Sequence, residues 1–168
     1  PTRSRGGWRS TGSGWRPFGD GLDNTIWAST MYDGELIVGG TFGRAGGILA
    51  NRIARYDGAE WNPLGDGVND KVLATAVYHG ALYAGGYFTQ AGSQEALHIA
   101  RWDGTSWAPV GAGFNQPVWA LCIYDDVLYA GGAFTASDGT PVSYIARLNP
   151  DDTWSPLGVG TSSTVHTL

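Results

Sequence analysis

The stretch YDGAEWNPLG, residues 56–65, decides the fold, because recognisable copies of it recur along the chain. Its tryptophan, Trp61, stands 46 residues after Trp15 and 46 residues before Trp107, and Trp154 follows 47 residues later. Proline follows each of these tryptophans by two positions, and glycine follows it by four. A period of roughly 40 to 50 residues indicates a repeat architecture, which is a solenoid, an array or a propeller.

The sequence on either side of each tryptophan repeats as well. A glycine doublet closes an apolar run in every copy, at 39–40, 85–86 and 131–132. An Ile-Ala-Arg segment then follows a stretch that differs between copies. Sustained helical periodicity flanked by capping residues is absent from the sequence, so we expect strands throughout.

Each copy predicts four short antiparallel strands joined by tight turns. The first strand is apolar along most of its length, as in a strand that is covered on both faces. The third strand centres on the Ile-Ala-Arg segment, and the fourth begins at the repeated tryptophan. We expect the first strands at 26–32, 72–78 and 118–124 and the second strands at 35–42, 81–88 and 127–134.

Four strands in a unit of this length are typical of a propeller blade. The sequence therefore predicts an all-β fold, a β-propeller of four-stranded antiparallel blades, with three full blades and partial blades at both ends. Residues 1–168 form one propeller segment with repeats at 15–60, 61–106 and 107–153 and partial blades at 7–14 and 154–168.

Two arrangements of these blades stay open. Either the ring is incomplete because the chain is a segment of a longer propeller, or a homodimer closes a six-bladed ring. We expect Trp61 and Trp107 to pack between neighbouring blades, because one blade alone cannot bury both of its faces.

A glycine doublet after an apolar strand, followed by an aromatic residue and a tryptophan as in residues 56–64, resembles the kelch motif. The resemblance covers residues 15–158. Repeats of the form aromatic-Asp-Gly-x-x-Trp-x-Pro-Leu-Gly, found in large bacterial surface proteins, are more similar still. The chain departs from the kelch pattern in its long variable insert and at Leu148, where an aromatic residue is expected. The resemblance implies a non-enzymatic binding or structural module, outside the cell in a bacterial setting.

Composition excludes several classes of partner. The chain has 10 Lys and Arg against 15 Asp and Glu, a net charge of −5, and no cluster of cations after residue 16, so we expect no nucleic-acid partner. It has no apolar run of about 18 residues, so we expect no membrane insertion. Cys122 is the only cysteine, which rules out an internal disulfide and a thiolate metal site.

The sequence offers little for catalysis, and we expect no catalytic residue, no enzyme activity and no cofactor. The three histidines, His79, His98 and His166, occupy three different phases of the repeat. Four aspartates beside the glycine turns offer oxygen ligands for calcium, although aspartate in a turn is more often a turn former. These aspartates are Asp20, Asp23, Asp66 and Asp70.

Two sets of recurring residues are candidates for ligand binding. Arg55, Arg101 and Arg147 recur in every copy, either as a ring of cations that binds an anion at the axis or, as we expect, as partners of carboxylates or carbonyls between blades. Trp27 and Trp119 share a repeat position with Leu73 and suit a sugar ring if they are exposed.

The copies differ most at 43–52, 89–98 and 135–144, and loops on a rigid frame commonly carry recognition. The sequence therefore predicts a non-enzymatic propeller module for protein or glycan contacts, in an extracellular or cell-surface setting. One alternative is a lectin with one carbohydrate site per blade. A second alternative is the propeller portion of a larger secreted hydrolase or oxidase.

Overall fold

A computed structural model describes residues 19–168 in full, and residues 8–10 and 15–17 as backbone strands. Every regular element among these residues is a β-strand. No helix that could span a membrane is found among them. The predicted all-β fold class is confirmed.

Three antiparallel sheets of four strands carry the fold, and in each sheet the strands lie side by side in chain order. The first blade consists of Ile26–Tyr32, Glu35–Gly40, Ile53–Tyr56 and Trp61–Pro63. The second blade consists of Val72–Tyr78, Ala81–Gly86, Ile99–Trp102 and Trp107–Pro109. The third blade consists of Val118–Tyr124, Val127–Gly132, Ile145–Leu148 and Trp154–Pro156.

The turns between strands follow from local chemistry. Asp33 and Gly34 take positive φ values of 49° and 79°, the left-handed conformations that a two-residue hairpin requires. At the next turn, Asp57 Oδ1 accepts hydrogen bonds from the backbone N–H groups of Ala59 and Glu60 at 2.8 and 2.9 Å. These bonds favour the ionised carboxylate and lower the pKa of Asp57.

The first strands of neighbouring blades lie closest together, so they line the inner side of the fan of blades. A missing side chain allows this approach: a Cβ added to Gly85 would stand 2.6 Å from Val118 Cγ1 of the next blade. The first glycine of each doublet therefore recurs because of close packing between blades, while the second lies against the backbone that enters its own first strand, as Gly86 does against the carbonyl of Lys71. Buried phenylalanines fill the junctions between blades, Phe88 between blades 1 and 2, and Phe114 and Phe134 between blades 2 and 3.

The repeated tryptophans join the blades, as the spacing predicts. Trp61 and Trp107 are only 5% and 3% exposed. Trp107 Nε1 donates a hydrogen bond of 2.8 Å to the carbonyl of Leu64 in the preceding blade. Trp154 Nε1 makes the equivalent 3.2 Å bond to the carbonyl of Val110. A buried indole N–H is thus satisfied across each of these junctions.

The structure differs from the sequence expectations in three details. The second strands end at the glycine doublet and not at the following phenylalanine, because Gly40 and Thr41 already direct their N–H groups to Arg52 and Thr25. Each sheet is completed by the strand that starts at the tryptophan, so Trp154–Pro156 closes the third blade. The first strand of blade 1 alternates between exposed and covered residues and is not buried on both faces.

The segments expected to be variable loops contain short hairpins of their own. Each hairpin has two strands of two residues, and these are Arg44–Ala45 with Ile48–Leu49, Gln90–Ala91 with Gln94–Glu95, and Ala136–Ser137 with Thr140–Pro141.

The expected partial blades are described only in part. Near the amino terminus, Trp8–Ser10 pairs with Trp15–Pro17, while the rest of 7–14 lies outside the described residues. At the other end, Val165 donates its N–H to the carbonyl of Gly132 at 3.1 Å. An added Cβ on Gly131 would stand 2.6 Å from Val165 Cγ1, so Val165 packs as Val118 does.

The face of the third blade that corresponds to the junction with a following blade is exposed. Leu157 is 43% exposed, whereas Leu64 and Val110, at the same repeat position, are 1% and 0% exposed. Tyr124 on the same face is 72% exposed, against 8% for Tyr32 in the first blade. The face that an adjoining blade covers in blades 1 and 2 is therefore uncovered in blade 3.

Candidate functional site

One cavity lies on the inner side of the blades, where the first strands begin, and we name it the axial cavity. It has a volume of about 470 Å³ and is lined by six residues: Trp27, Lys71, Leu73, Tyr87, Trp119 and His166. Four of these, at 27, 73, 119 and 166, share one repeat position. Because the first strands are the innermost strands, equivalent side chains from successive copies meet there.

The walls of the axial cavity are flat and aromatic. Trp27 is 59% exposed and Tyr87 is 38% exposed, so both rings are available to a ligand. The ring centroids of Trp119 and His166 lie 4.3 Å apart in an edge-to-face arrangement. Exposed aromatic rings around a concavity are a common feature of ligand sites.

The charged residue at the axial cavity is a cation. Lys71, the only lysine of the chain, places its Nζ 5.1 Å from the centroid of the Tyr87 ring. None of the six lining residues is a carboxylate. The local charge is thus opposite in sign to the net charge of −5.

One hydrogen-bond donor at this cavity has no partner. The Nε1 of Trp119 is buried and makes no hydrogen bond in the structure. An unsatisfied buried donor costs about 1–3 kcal/mol. An acceptor that reached this N–H would remove that cost.

A second cavity of about 510 Å³ opens between the second and third blades. Across it, Arg101 of blade 2 donates to both carboxylate oxygens of Asp152 in blade 3, at 2.8 and 3.0 Å. Tyr83, 4% exposed, lies beside this ion pair. Burial raises the pKa of the Tyr83 hydroxyl, while the adjacent guanidinium acts in the opposite direction.

The recurring arginines lie on the third strands and not on the first strands that line the axial cavity. Arg55 pairs with Glu35 of its own blade at 3.2 Å, and Arg101 makes the pairing between blades that the sequence suggests. Arg147 is exposed on the third blade. The structure thus brings no two of them to one site.

The four aspartates considered for calcium lie in the turns that precede the first strands. Asp23 Oδ1 accepts the N–H groups of Gly43 and Arg44 at 2.8 and 3.1 Å. Asp70 Oδ1 accepts the N–H of Lys71 at 2.7 Å. Within residues 19–168, no three His, Cys, Asp or Glu side chains are grouped closely enough to hold a metal ion.

The same tie recurs with asparagine in the later blades. Asn69 Oδ1 accepts from the N–H groups of Thr89 and Gln90, and Asn115 Oδ1 accepts from those of Thr135 and Ala136, all at 2.9 to 3.1 Å. One side chain before each first strand therefore holds the start of the variable hairpin. We name this contact the entry tie.

The short hairpins lie at the same end of the blades as the axial cavity, because each follows a second strand and the first strands begin beside it. Ile48 and Leu49, the second strand of the first hairpin, are 40% and 61% exposed. Their counterparts are the polar pair Gln94 and Glu95 in blade 2. The first hairpin is thus the apolar one of these two.

Sequence reasoning selected Trp27 and Trp119, and the structure places both at the axial cavity. It did not select Lys71, Tyr87 or His166 for binding. His166 was identifiable, since it shares the repeat position of the two tryptophans. Lys71 and Tyr87 have no such signal, because Thr25 and Thr41 stand one period before them.

A family model described as a domain of unknown function (DUF5122) β-propeller matches residues 33–58 and 125–153. Both segments run from the turn after a first strand to the turn after a third strand, in blades 1 and 3. No curated protein matches the chain.

Solved structures show the same architecture. The crystal structure of the computationally designed Ika4 protein matches 89% of this chain and 81% of its own, with a TM-score of 0.58 and 14% identity. The computationally designed Ika8 protein matches 89% of this chain and 41% of its own, with a TM-score of 0.57 and 18% identity. At these identities the likeness concerns the fold alone. The sheets, the family model and these structures together identify a β-propeller with three four-stranded blades in the described part of the chain.

Proposed function

We propose that this protein is a non-enzymatic binding module, a propeller scaffold that contacts a glycan partner at the axial cavity. The observation that carries the proposal is the convergence of Trp27, Trp119 and His166, from successive copies, on one concavity of about 470 Å³. A flat ring such as that of Trp27, 59% exposed, offers the apolar surface on which one face of a sugar ring packs.

This arrangement favours one shared site over one site per blade. The equivalent positions 27, 73 and 119 belong to three blades but line a single cavity. Leu73 has no ring, so in the second blade this position lines the cavity but offers no aromatic surface on which a sugar can stack.

The non-enzymatic part of the proposal is supported by the titratable groups of residues 19–168. The ion pair of His79 with Asp126 is exposed and joins the first hairpin turn of blade 2 to that of blade 3, with side chains 61% and 82% accessible. Cys122 Sγ contacts only a carbonyl of its own strand, that of Ile123. Neither arrangement couples a nucleophile to a base.

Two finer statements also belong to the proposal. We assign the repeat to the kelch-like type, supported by the glycine doublets and the tryptophan that joins blades. We place the protein outside the cell, supported by the similarity of residues 56–65 to repeats of bacterial surface proteins. Leu148, which stands in place of an aromatic residue, and the short hairpins distinguish this repeat from the kelch pattern.

A glycan array tests the proposal. The intact protein is expected to bind a subset of glycans, and Trp27→Ala is expected to weaken that binding by about tenfold, in line with the value of stacking on an aromatic ring. Leu49→Ala, an exposed apolar residue on the first hairpin, is the matched control and leaves binding unchanged. An array without hits contradicts the glycan assignment.

A protein partner is the second candidate, and a separate observation favours it. Ile48 and Leu49 form an exposed apolar pair on the first hairpin, and apolar surface of this kind is typical of protein contacts when it is contiguous. With this partner, Ile48→Asp abolishes binding while Trp27→Ala does not, so the two candidates give opposite patterns.

A further inference from the structure

We infer that the axial cavity selects an acidic sugar, one that carries a carboxylate on its ring. This inference rests on the proposed glycan contact and adds to it the charge of the ligand. It follows from three features of the cavity: the sign of its charge, its unpartnered donor and its aromatic walls.

Charge is the first feature. The chain carries 15 acidic and 10 basic residues, yet the lining of the axial cavity holds its only lysine and no carboxylate. The Lys71 side chain lies along the Tyr87 ring, with Nζ 5.1 Å from the centroid, which keeps the ammonium at the cavity. The field inside the cavity therefore favours an anion, against the overall charge of the protein.

The donors are the second feature. Trp119 Nε1 has no hydrogen-bond partner, and the three donors of the Lys71 ammonium face a cavity in which no lining side chain is an anion. An acceptor-only group satisfies the exposed Lys71 ammonium, and it reaches the buried Trp119 N–H only when the cavity wall shifts. A carboxylate offers two such oxygens, whereas a neutral sugar hydroxyl brings a proton that must itself be placed.

The walls are the third feature. Trp27, Leu73 and Tyr87 offer apolar surface, which suits the carbon skeleton of a ring and not a free inorganic anion. Phosphate or sulfate alone would leave this surface in contact with water. The ligand thus combines an apolar ring face with a carboxylate at its edge.

The test uses matched ligands on the 168-residue chain. The probes are short oligosaccharides of galacturonic, glucuronic and sialic acid, each compared with its methyl ester, which keeps the ring and removes the charge. Binding is followed by tryptophan fluorescence and by calorimetry. At least one acid is expected to bind about three- to fivefold more tightly than its ester, the upper end of the range for an exposed ion pair.

Two variants assign the effect to the cavity. Lys71→Ala is expected to abolish the difference between acid and ester, while Arg147→Ala, which removes an exposed cation elsewhere, leaves it intact. Raising the salt concentration is expected to reduce the difference as well, because the pair is partly exposed.

The outcomes separate the inference from the proposed function. Equal binding of every acid and its ester overturns the inference but leaves a glycan-binding module in place. An acid preference that survives Lys71→Ala overturns the assignment to this cavity. Binding of no acid and no ester overturns the inference, and an empty glycan array then removes the proposed function too.

Discussion

A single departure from the repeat reorganises one junction between blades. Leu148 takes the place of the buried aromatic Trp102, and one additional residue lies in the following turn. In the first junction the Trp102 ring lies beside Gly65; in the second, the backbone of Asp152 lies beside Gly111. The turn thereby brings the Asp152 carboxylate to Arg101. The ion pair and the cavity between blades 2 and 3 therefore both result from this change in sequence.

Another residue predicts how stability depends on pH. His98 is partly buried, its Nδ1 has no hydrogen-bond partner, and burial lowers its pKa. Because the fold favours the neutral ring, its contribution to stability is complete above the unfolded pKa of about 6.5 and is lost as pH falls from there towards the folded pKa. The midpoint of thermal unfolding is therefore expected to decrease between pH 7.5 and 5.

His98→Gln is expected to flatten this dependence, while His79→Gln, at an exposed histidine, is expected to retain it. Asp57, Asp103 and Asp151, whose pKa values are lowered by hydrogen bonds, titrate below this window. An unchanged slope in His98→Gln would show that another group is responsible.

At the scale of the strand, packing between blades depends on glycine facing valine. This contact recurs as Gly85 with Val118 and as Gly131 with Val165. Gly85→Ala is expected to destabilise the fold by about 1–3 kcal/mol, since the new methyl group overlaps the valine of the next blade. Urea unfolding monitored by tryptophan fluorescence measures this free energy.

A double variant tests whether that cost comes from this contact. Combined with Val118→Ala, Gly85→Ala is expected to cost less than the sum of the two single changes, by at least about 0.5 kcal/mol. Strict additivity would place the origin of the cost within blade 2 and not at the junction.

The strand bounds and the burial of the repeated tryptophans could be predicted from the sequence, because the repeat period and the turn residues are local features of the chain. The bounds of all three first strands agree with the expectation, and Trp61 and Trp107 are buried as their spacing requires. The short hairpins within the variable segments were not predicted, because strands of two residues are too short to show alternation. The contribution of Lys71 to the axial cavity was hidden too, since it depends on how three blades meet.

At the scale of the whole molecule, blade 3 has an apolar face that no further blade covers among the described residues. Leu157 and Tyr124 are 43% and 72% exposed, whereas Leu64, Val110 and Tyr32, at the same repeat positions, are buried. We propose that a second copy covers this face in a homodimer with six full blades. Light scattering is expected to give twice the mass of 17.7 kDa.

Substitutions locate the contact. Leu157→Lys is expected to yield monomers, because it places a charge in an apolar contact, whereas Leu49→Lys, on the first hairpin away from that face, leaves the dimer intact. A well-folded wild-type protein that stays monomeric at high concentration removes the ring-closing dimer.

Because of the entry tie, the hairpin sequence in a blade can vary while the position of the neighbouring first strand stays fixed. Asp23, Asn69 and Asn115 fix the base of each hairpin through main-chain N–H groups, which every residue except proline supplies. Hairpin tips are thus free to diverge in sequence while the neighbouring strand keeps its place. Grafting foreign hairpin tips onto this frame is expected to change what one rim of the propeller recognises without disturbing the tryptophans behind it.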